Sequence, residues 1–271
     1  MEMHLSPIIN RERLDELYSL YHRRELVHPD PLEFLYDYHN LRDREVVGLI
    51  ASSLAYGRVA QILRSISSVL KRLNPSPCSF LLNSSKKSLL STFADFKHRF
   101  TSGEELAFML WAAKSAIEKY GSLYGCFTAG LNDDDDTVLP ALSAFVGELS
   151  AYLSKDRKNS LLPSPNAGSA CKRLNLFLRW MVRRDEVDPG GWSSVPISKL
   201  IVPLDTHMYR ICLLLNLTRR KQADLRTAID ITRAFRRILP EDPVRYDFTL
   251  TRLGIRKDAG LEAALRNCEM L

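Results

Sequence analysis

The sequence lacks the cysteine pattern of a disulfide scaffold or of a cysteine-ligated metal site. Its 271 residues include five cysteines, which are scattered and never spaced as C-x-x-C. Disulfide frameworks and structural zinc or iron–sulfur centres need paired or closely grouped cysteines. We therefore expect no disulfide framework, no bound metal and no cofactor. The five residues are Cys78, Cys126, Cys171, Cys212 and Cys268.

A membrane-spanning run and a secretion signal are missing as well. No apolar stretch approaches the roughly 18 residues needed to cross a bilayer. The first residues, MEMHLSPIINRERLDEL, lack the basic-then-apolar order of a signal peptide. We therefore expect a soluble, cytoplasmic protein without a membrane partner.

Positive charge is present in excess, and it is unevenly distributed. The chain has 38 Lys and Arg against 32 Asp and Glu, a formal net charge of +6. Residues 160–271 carry 19 basic and 12 acidic side chains, whereas residues 1–159 carry 19 and 20. A basic C-terminal part indicates a polyanionic partner such as nucleic acid, although a solvated basic surface explains the charge equally well.

Strand-like alternation is absent, and apolar residues recur with helical spacing. Stripes at i, i+3, i+4 and i+7 run through segments 42–56, 104–119, 174–182, 205–215 and 223–235. Further on, Asp242-Pro243 is typical of a helix start. The pattern predicts an all-α protein.

Two irregular segments indicate how the chain is organised. The stretch 155–166 is rich in Ser, Pro and Asn, so we expect it to connect an N-terminal helical lobe, residues 1–159, to a basic C-terminal part, residues 160–271. Within 184–200, the sequence Asp-Pro-Gly-Gly-Trp at 188–192 combines turn residues with an aromatic anchor. This predicts a structured turn rather than a flexible linker.

A first candidate site lies around Lys172, in the sequence PNAGSACKRL of residues 165–174. A glycine-containing turn at Gly168 and Ser169 leads into a helix that begins with Lys172 and Arg173. Free backbone N–H groups at such a helix start, beside two cations, suit a phosphate. Lys172, Leu176, Arg179 and Arg183 share the face opposite the core stripe, and an ordinary solvated face is the alternative interpretation.

A second candidate site lies around Asp205, in the sequence IVPLDTHMYR of residues 201–210. Asp is a preferred N-cap, and capping the next helix would by itself account for Asp205. A cap carboxylate can also face a cleft. His207 makes a D-x-H pair with Asp205, but a metal would need further ligands.

Together the two segments resemble the helix-hairpin-helix DNA glycosylase superfamily, in which a hairpin L-P-G-V-G-x-K-T-A precedes P-V-D-T-H-V-x-R-V. The second motif is matched closely and the hairpin more loosely; the matching residues are Pro203, Asp205, Thr206, His207, Arg210 and Ile211, then Leu162, Pro163, Gly168 and Lys172. Residues 50–61 and 245–255 resemble further segments of that fold. The whole chain also resembles a bacterial family of similar length that is known only as a domain of unknown function.

The resemblance implies a two-lobed, all-α glycosylase fold and base-excision repair with associated lyase activity. Lys172 would attack the sugar and Asp205 would stabilise the developing positive charge. The partner would be double-stranded DNA with a damaged base, bound by a monomer. DNA-binding residues implied by the resemblance and by the phosphate argument are Gly168, Ser169, Arg173, Arg179, Tyr56, Arg58 and Gln61.

Two departures from the family pattern qualify this hypothesis. Lys172 and Asp205 are 33 positions apart, which is more than in most of the superfamily but is similar to an archaeal branch that acts on 8-oxoguanine. The four-cysteine cluster of the endonuclease III branch is absent. The alternatives are a non-catalytic DNA-binding protein that uses the same hairpin, and a module that binds RNA or an acidic protein.

Overall fold

The structure is a computed structural model that describes residues 9–152 and 159–255. These residues form α-helices joined by turns, short 3-10 helices and one small hairpin, which confirms the all-α prediction for this part of the chain. The α-helices are α1 Arg11–Tyr21, α2 Leu41–Ser53, α3 Val59–Leu73, α4 Pro77–Asn83, α5 Lys86–Thr92, α6 Gly103–Tyr120, α7 Leu123–Thr128, α8 Leu139–Ala151, α9 Lys172–Val182, α10 Thr206–Leu214, α11 Leu225–Ile238 and α12 Asp247–Ile255. The hairpin strands are β1 Lys97–His98 and β2 Thr101–Ser102, and the 3-10 helices are Arg24–Leu26, Pro31–Asp37, Pro165–Ala167 and Ile197–Lys199.

The five predicted apolar stripes coincide with α2, α6, α9, α10 and α11. Most stripe residues are buried, because each helix turns that face toward the shared interior. The helix start expected at Asp242-Pro243 is wrong. Residues 240–246 form turns, and α12 begins at Asp247.

Helices α2 and α9 pack closely at the centre of the molecule. Gly48 of α2 makes this possible, since a Cβ there would lie 3.2 Å from the ring of Phe177 and 3.3 Å from the sulfur of Met181, both in α9. One continuous buried core therefore includes residues from both sides of the boundary expected near residue 159. The connection expected over 155–166 lies partly outside the described residues, which omit 153–158.

The predicted turn over 184–200 is structured, as expected. Arg184 and Pro189 form a β-bridge, and Gly190 and Gly191 follow it with φ of +65° and +138°. Trp192 is fully buried, and its indole Nε1 donates to Glu45 of α2 at 3.1 Å. Because an aromatic anchor holds the segment to the core, this long connection positions the elements on either side of it.

An extended, buried segment carries the chain from this turn to α10. Residues 200–204 are buried, and the N–H of Val202 donates to Oγ1 of Thr232 in α11 at 3.0 Å. Asp205 follows directly. Its position is therefore fixed by burial of the preceding five residues.

The described residues contain no disulfide, no cluster of metal ligands and no helix suited to cross a membrane. Four cysteines are buried free thiols, while Cys268 lies outside the described residues. In the same ranges there is no group of three or more His, Cys, Asp or Glu side chains arranged to hold a metal ion. None of the described helices is both long and apolar enough to cross a membrane.

Candidate active-site cleft

Lys172 is the first residue of α9, and the turn before it has an unusual backbone. The 3-10 helix Pro165–Ala167 ends at Gly168, which is left-handed with φ of +76°. Cys171 is also left-handed, with φ of +47°, a conformation that costs free energy for a residue with a Cβ. The thiol of Cys171 is buried and donates to the carbonyl of Pro163. The buried thiol and the strained turn together fix the direction in which α9 starts.

Asp205 caps α10, as predicted, and only one of its carboxylate oxygens does so. Oδ1 accepts from the N–H of Met208 at 2.8 Å. Oδ2 instead faces α9 and lies 3.7 Å from Nζ of Lys172. Asp205 can therefore cap α10 through Oδ1 and at the same time present Oδ2 to the cleft.

The pair lies in a cleft of about 620 Å³ between the turn before α9 and the segment after α2. Lys172 and Asp205 are each a little over one-quarter exposed, so both reach solvent from a partly screened position. The Nζ of Lys172 also donates to the carbonyl oxygen of Ala55 at 3.3 Å. A hydrogen bond to one wall and an ion pair with the other thus hold the amine between them.

Tyr56 and Gly57 form the wall opposite the turn. The hydroxyl of Tyr56 donates to the carbonyl of His98 at 2.8 Å and lies 2.7 Å from Oγ1 of Thr101. Tyr56 and His98 share a second hydrogen bond, in which Nε2 of His98 donates to the backbone carbonyl of Tyr56 at 3.1 Å. Burial lowers the pKa of His98, in agreement with a neutral ring that donates from Nε2.

Arg173 lies at the edge of the cleft and stabilises its walls. Its guanidinium donates to the carbonyls of Ser53 and Ser160 and lies 5.1 Å above the ring of Tyr56. Burial lowers the pKa of Arg173. Since these hydrogen bonds go to the protein itself, the predicted phosphate contact of Arg173 remains a prediction.

The other sequence-predicted residues divide into two groups. Gly168 and Ser169 are exposed and line the cleft, as does Tyr56. Arg58 is the exposed N-cap residue of α3, and Gln61 is half-buried in its first turn. Neither Arg58 nor Gln61 lines the cleft.

Arg179 does not lie on a DNA-facing surface, and this prediction is wrong. Its side chain is only 4% exposed and pairs with Asp188 and Asp247. Arg183, one turn later, pairs with Asp185, Asp188 and Asp242. The face of α9 that begins with Lys172 is therefore covered at Arg179 and Arg183. The 184–200 segment and residues 242–247 supply the carboxylates that neutralise these two guanidinium groups.

A smaller cavity of about 90 Å³ adjoins the Lys172–Asp205 pair on its inner side. Trp180, Phe248 and Asp247 are among the residues that line it. Burial raises the pKa of Asp247 to about 6, and the charge of nearby Asp205 acts in the same direction. Sequence reasoning missed Asp247, since a lone acid at a helix start gives no signal of its burial.

A basic loop also reaches the cleft and was not singled out from the sequence. The N–H of Leu225 donates to the carbonyl of Gly168 at 3.1 Å, and Ala223 and Asp224 line the cleft. The loop before them contains Arg219 and Lys221, both exposed. The run Arg-Arg-Lys at 219–221 was the available signal, but only the fold brings the end of this loop, at Leu225, beside Gly168.

The arrangement is chemically suited to a nucleophilic reaction of the amine. A primary amine lies at an open cleft, a carboxylate oxygen faces it, and the exposed residues Gly168 and Ser169 line the same cleft. An amine beside a carboxylate can attack an electrophilic carbon and transfer its proton to a neighbouring base.

Comparison with known proteins gives a family but no activity. A family model described as "Protein of unknown function (DUF2400)" matches residues 30–256. No curated protein matches the chain, and no solved structure matches it. The match covers most of the chain and both walls of the cleft. The chain therefore belongs to the DUF2400 family.

Proposed function

We propose that the protein is a DNA glycosylase with associated lyase activity, in which Lys172 is the nucleophile. The observation that carries this proposal is the placement of Nζ of Lys172 3.7 Å from Oδ2 of Asp205 in an open cleft. These residues are far apart in the sequence, and each belongs to a motif of its own. The folded chain brings together the two groups that the resemblance requires.

The reaction proceeds in two stages. The unprotonated amine of Lys172 forms a bond to C1′ of the damaged nucleotide while the N-glycosidic bond breaks, and the base departs with the bonding electrons and takes up a proton. The nitrogen then loses one proton, and its lone pair opens the C1′–O4′ bond. O4′ takes up a proton to become a hydroxyl, and a protonated Schiff base between Lys172 and C1′ results. Removal of a proton from C2′ expels the 3′ phosphate by β-elimination and cuts the strand.

Asp205 would act beside this amine as a charge stabiliser and proton acceptor. Positive charge develops on the sugar as the base leaves, and a fixed carboxylate stabilises it. Oδ1 is held by the N–H of Met208, so Oδ2 needs no reorganisation to face the reacting carbon. The carbonyl of Ala55 orients the amine from the opposite wall.

Binding of DNA is supported by the surface around the cleft entrance. Gly168 and Ser169 present exposed backbone, and exposed Arg219 and Lys221 lie in the adjoining loop. We expect the affinity for duplex DNA to fall steeply with salt, with a log–log slope that corresponds to several released counterions. Titration between low and moderate salt measures that slope, and a flat dependence would contradict a phosphate-based interface.

Single-turnover base release tests the catalytic proposal. The substrates are duplexes that carry 8-oxoguanine, uracil, alkylated bases or thymine glycol. We expect wild type to release one class of base and nick the strand, and Lys172→Gln to do neither, because Gln has no attacking amine. Lys71→Gln, in α3 and away from the cleft lining, is the matched control and should behave as wild type.

The outcomes separate the proposal from its alternatives. If Lys172→Gln releases base as fast as wild type, the lysine does not act as the nucleophile. If wild type binds duplex DNA with a steep salt dependence but acts on none of the lesions, a non-catalytic DNA-binding protein is the better conclusion. A preference for RNA or for acidic peptides over duplex DNA would favour the third alternative.

A further inference from the structure

The most exposed large apolar side chain among the described residues lies at the tip of the β1–β2 hairpin. Phe100 is 81% exposed, whereas the other large apolar side chains on the described surface are at most 55% exposed. Pairing of His98 with Thr101 leaves Arg99 and Phe100 as a two-residue turn. An aromatic ring held out in water at a tight turn has no role in the core, and the reaction at Lys172 does not use it.

The hairpin that carries Phe100 is firmly anchored at its base. His98 and Thr101 are fully buried, and both bond to Tyr56. Nδ1 of His98 accepts from the hydroxyl of Ser65 at 2.9 Å. At the end of β2, Ser102 caps α6 through a reciprocal hydrogen-bonded box with Glu105. Phe100 is therefore presented on a fixed support, which limits the conformational entropy lost on binding.

The turn itself adopts a backbone that its sequence does not favour. Arg99 has φ of +53°, at the first central position of a two-residue hairpin turn, where glycine is usual. The side chain of Arg99 lies across Gly57, since a Cβ on Gly57 would be 2.7 Å from its Cδ. Its guanidinium carbon lies 5.5 Å from the ring centre of Phe100. Gly57 lines the cleft, so the side chain of Arg99 lies directly beside it.

We propose that the Arg99–Phe100 turn enters the base stack of duplex DNA, and that Phe100 fills the gap left by the nucleotide turned out toward Lys172. Proteins that unstack DNA insert apolar side chains of this kind between base steps. A cation beside the ring suits the adjacent phosphates. This inference rests on the proposed function for its nucleic-acid partner, and it names a residue that acts on the stack rather than on the reacting atoms.

The test measures binding that needs no chemistry at Lys172. The probe is a duplex with one tetrahydrofuran abasic analogue, which cannot form a Schiff base, and with 2-aminopurine opposite the gap. The reference is the single strand that carries the same analogue. Phe100→Ala is expected to raise the duplex Kd relative to the single-strand Kd on the order of 10- to 100-fold, the usual effect of removing one aromatic–base stack. Phe100→Trp is expected to restore most of the affinity.

The fluorescence of 2-aminopurine gives a second readout, which would not change if Phe100 had only a structural role. Wild type should change the 2-aminopurine signal of the abasic duplex, and Phe100→Ala should bind at saturating concentration without that change. Leu20→Ala removes another exposed apolar side chain, 55% exposed in α1 and away from the cleft lining, and should match wild type. Equal melting temperatures of the variants establish that they are folded.

Four results would overturn the inference. They are an unchanged duplex-to-single-strand ratio in Phe100→Ala, an unchanged fluorescence response in that variant, no response from wild type, and a wild-type dimer that Phe100→Ala dissociates without altering the DNA response. None of these depends on base release. Failure of Lys172 as a nucleophile would instead appear as absent base release with the Phe100 effects intact.

Discussion

Asp205→Asn should lose base release on the order of 100- to 1,000-fold while remaining nearly as stable as wild type. Asn keeps a side-chain oxygen for the N–H of Met208 and is itself a preferred N-cap. It has no negative charge to place beside the sugar as the base leaves, and losing one preorganised electrostatic partner has an effect of this size. Single-turnover kinetics and denaturant unfolding measure the two quantities.

Asp205→Ala is the comparison that separates the capping role of Oδ1 from the proposed catalytic role of Oδ2. It removes the cap as well, so its free energy of unfolding should fall by about 1 kcal/mol. Its activity should be as low as that of Asp205→Asn. If Asp205→Asn keeps wild-type activity and only Asp205→Ala is impaired, Asp205 is a cap without a catalytic role.

Asp188→Ala should lower the free energy of unfolding by about 3–5 kcal/mol, the largest effect on stability that we expect. Asp188 is fully buried, with Oδ1 accepting from Nε and Nη2 of Arg179 at 3.2 and 3.1 Å and Oδ2 from Nη1 of Arg183 at 3.1 Å. Removing it leaves two buried cations with fewer carboxylate partners. Asp188→Asn keeps the shape and part of the hydrogen bonding, so we expect a smaller loss.

The exposed pair of Arg72 and Asp95 is the matched control. Its Nη1–Oδ1 distance of 2.6 Å is shorter than any at Asp188, but Asp95 is 74% exposed. Because water screens such a pair, Asp95→Ala should leave the free energy of unfolding nearly unchanged. Equal losses in Asp188→Ala and Asp95→Ala would show that burial does not amplify the effect at Asp188.

Local features of the fold could be predicted from the sequence, because they depend on neighbouring residues. The apolar stripe from Leu174 to Val182 predicts α9. The position of Asp205 before an apolar repeat predicts that it caps α10. Trp192 was identified as an anchor since it follows a Pro-Gly-Gly turn. In each case the physical cause lies within a few positions of the residue, so no tertiary contact is needed to recognise it.

Features that depend on distant segments were missed or wrongly interpreted. Arg179 and Arg183 follow Lys172 at helical spacing, so the sequence suggested one exposed basic face. The acids that cover it come from Asp188 and from residues 242–247, and nothing local indicates that these segments fold back. The hairpin that carries Phe100 has strands of two residues each, which are too short to produce an alternating pattern.

The central claim is that the amine of Lys172 forms a covalent bond to the sugar of damaged DNA. Borohydride reduction during turnover captures a Schiff base as a stable protein–DNA adduct, and peptide mass analysis locates the modified residue. We expect wild type to be trapped on a lesion-bearing duplex with the modification at Lys172, and Lys172→Gln not to be trapped. Trapping of Lys172→Gln at the wild-type level, or a wild-type adduct at another residue, would contradict the claim.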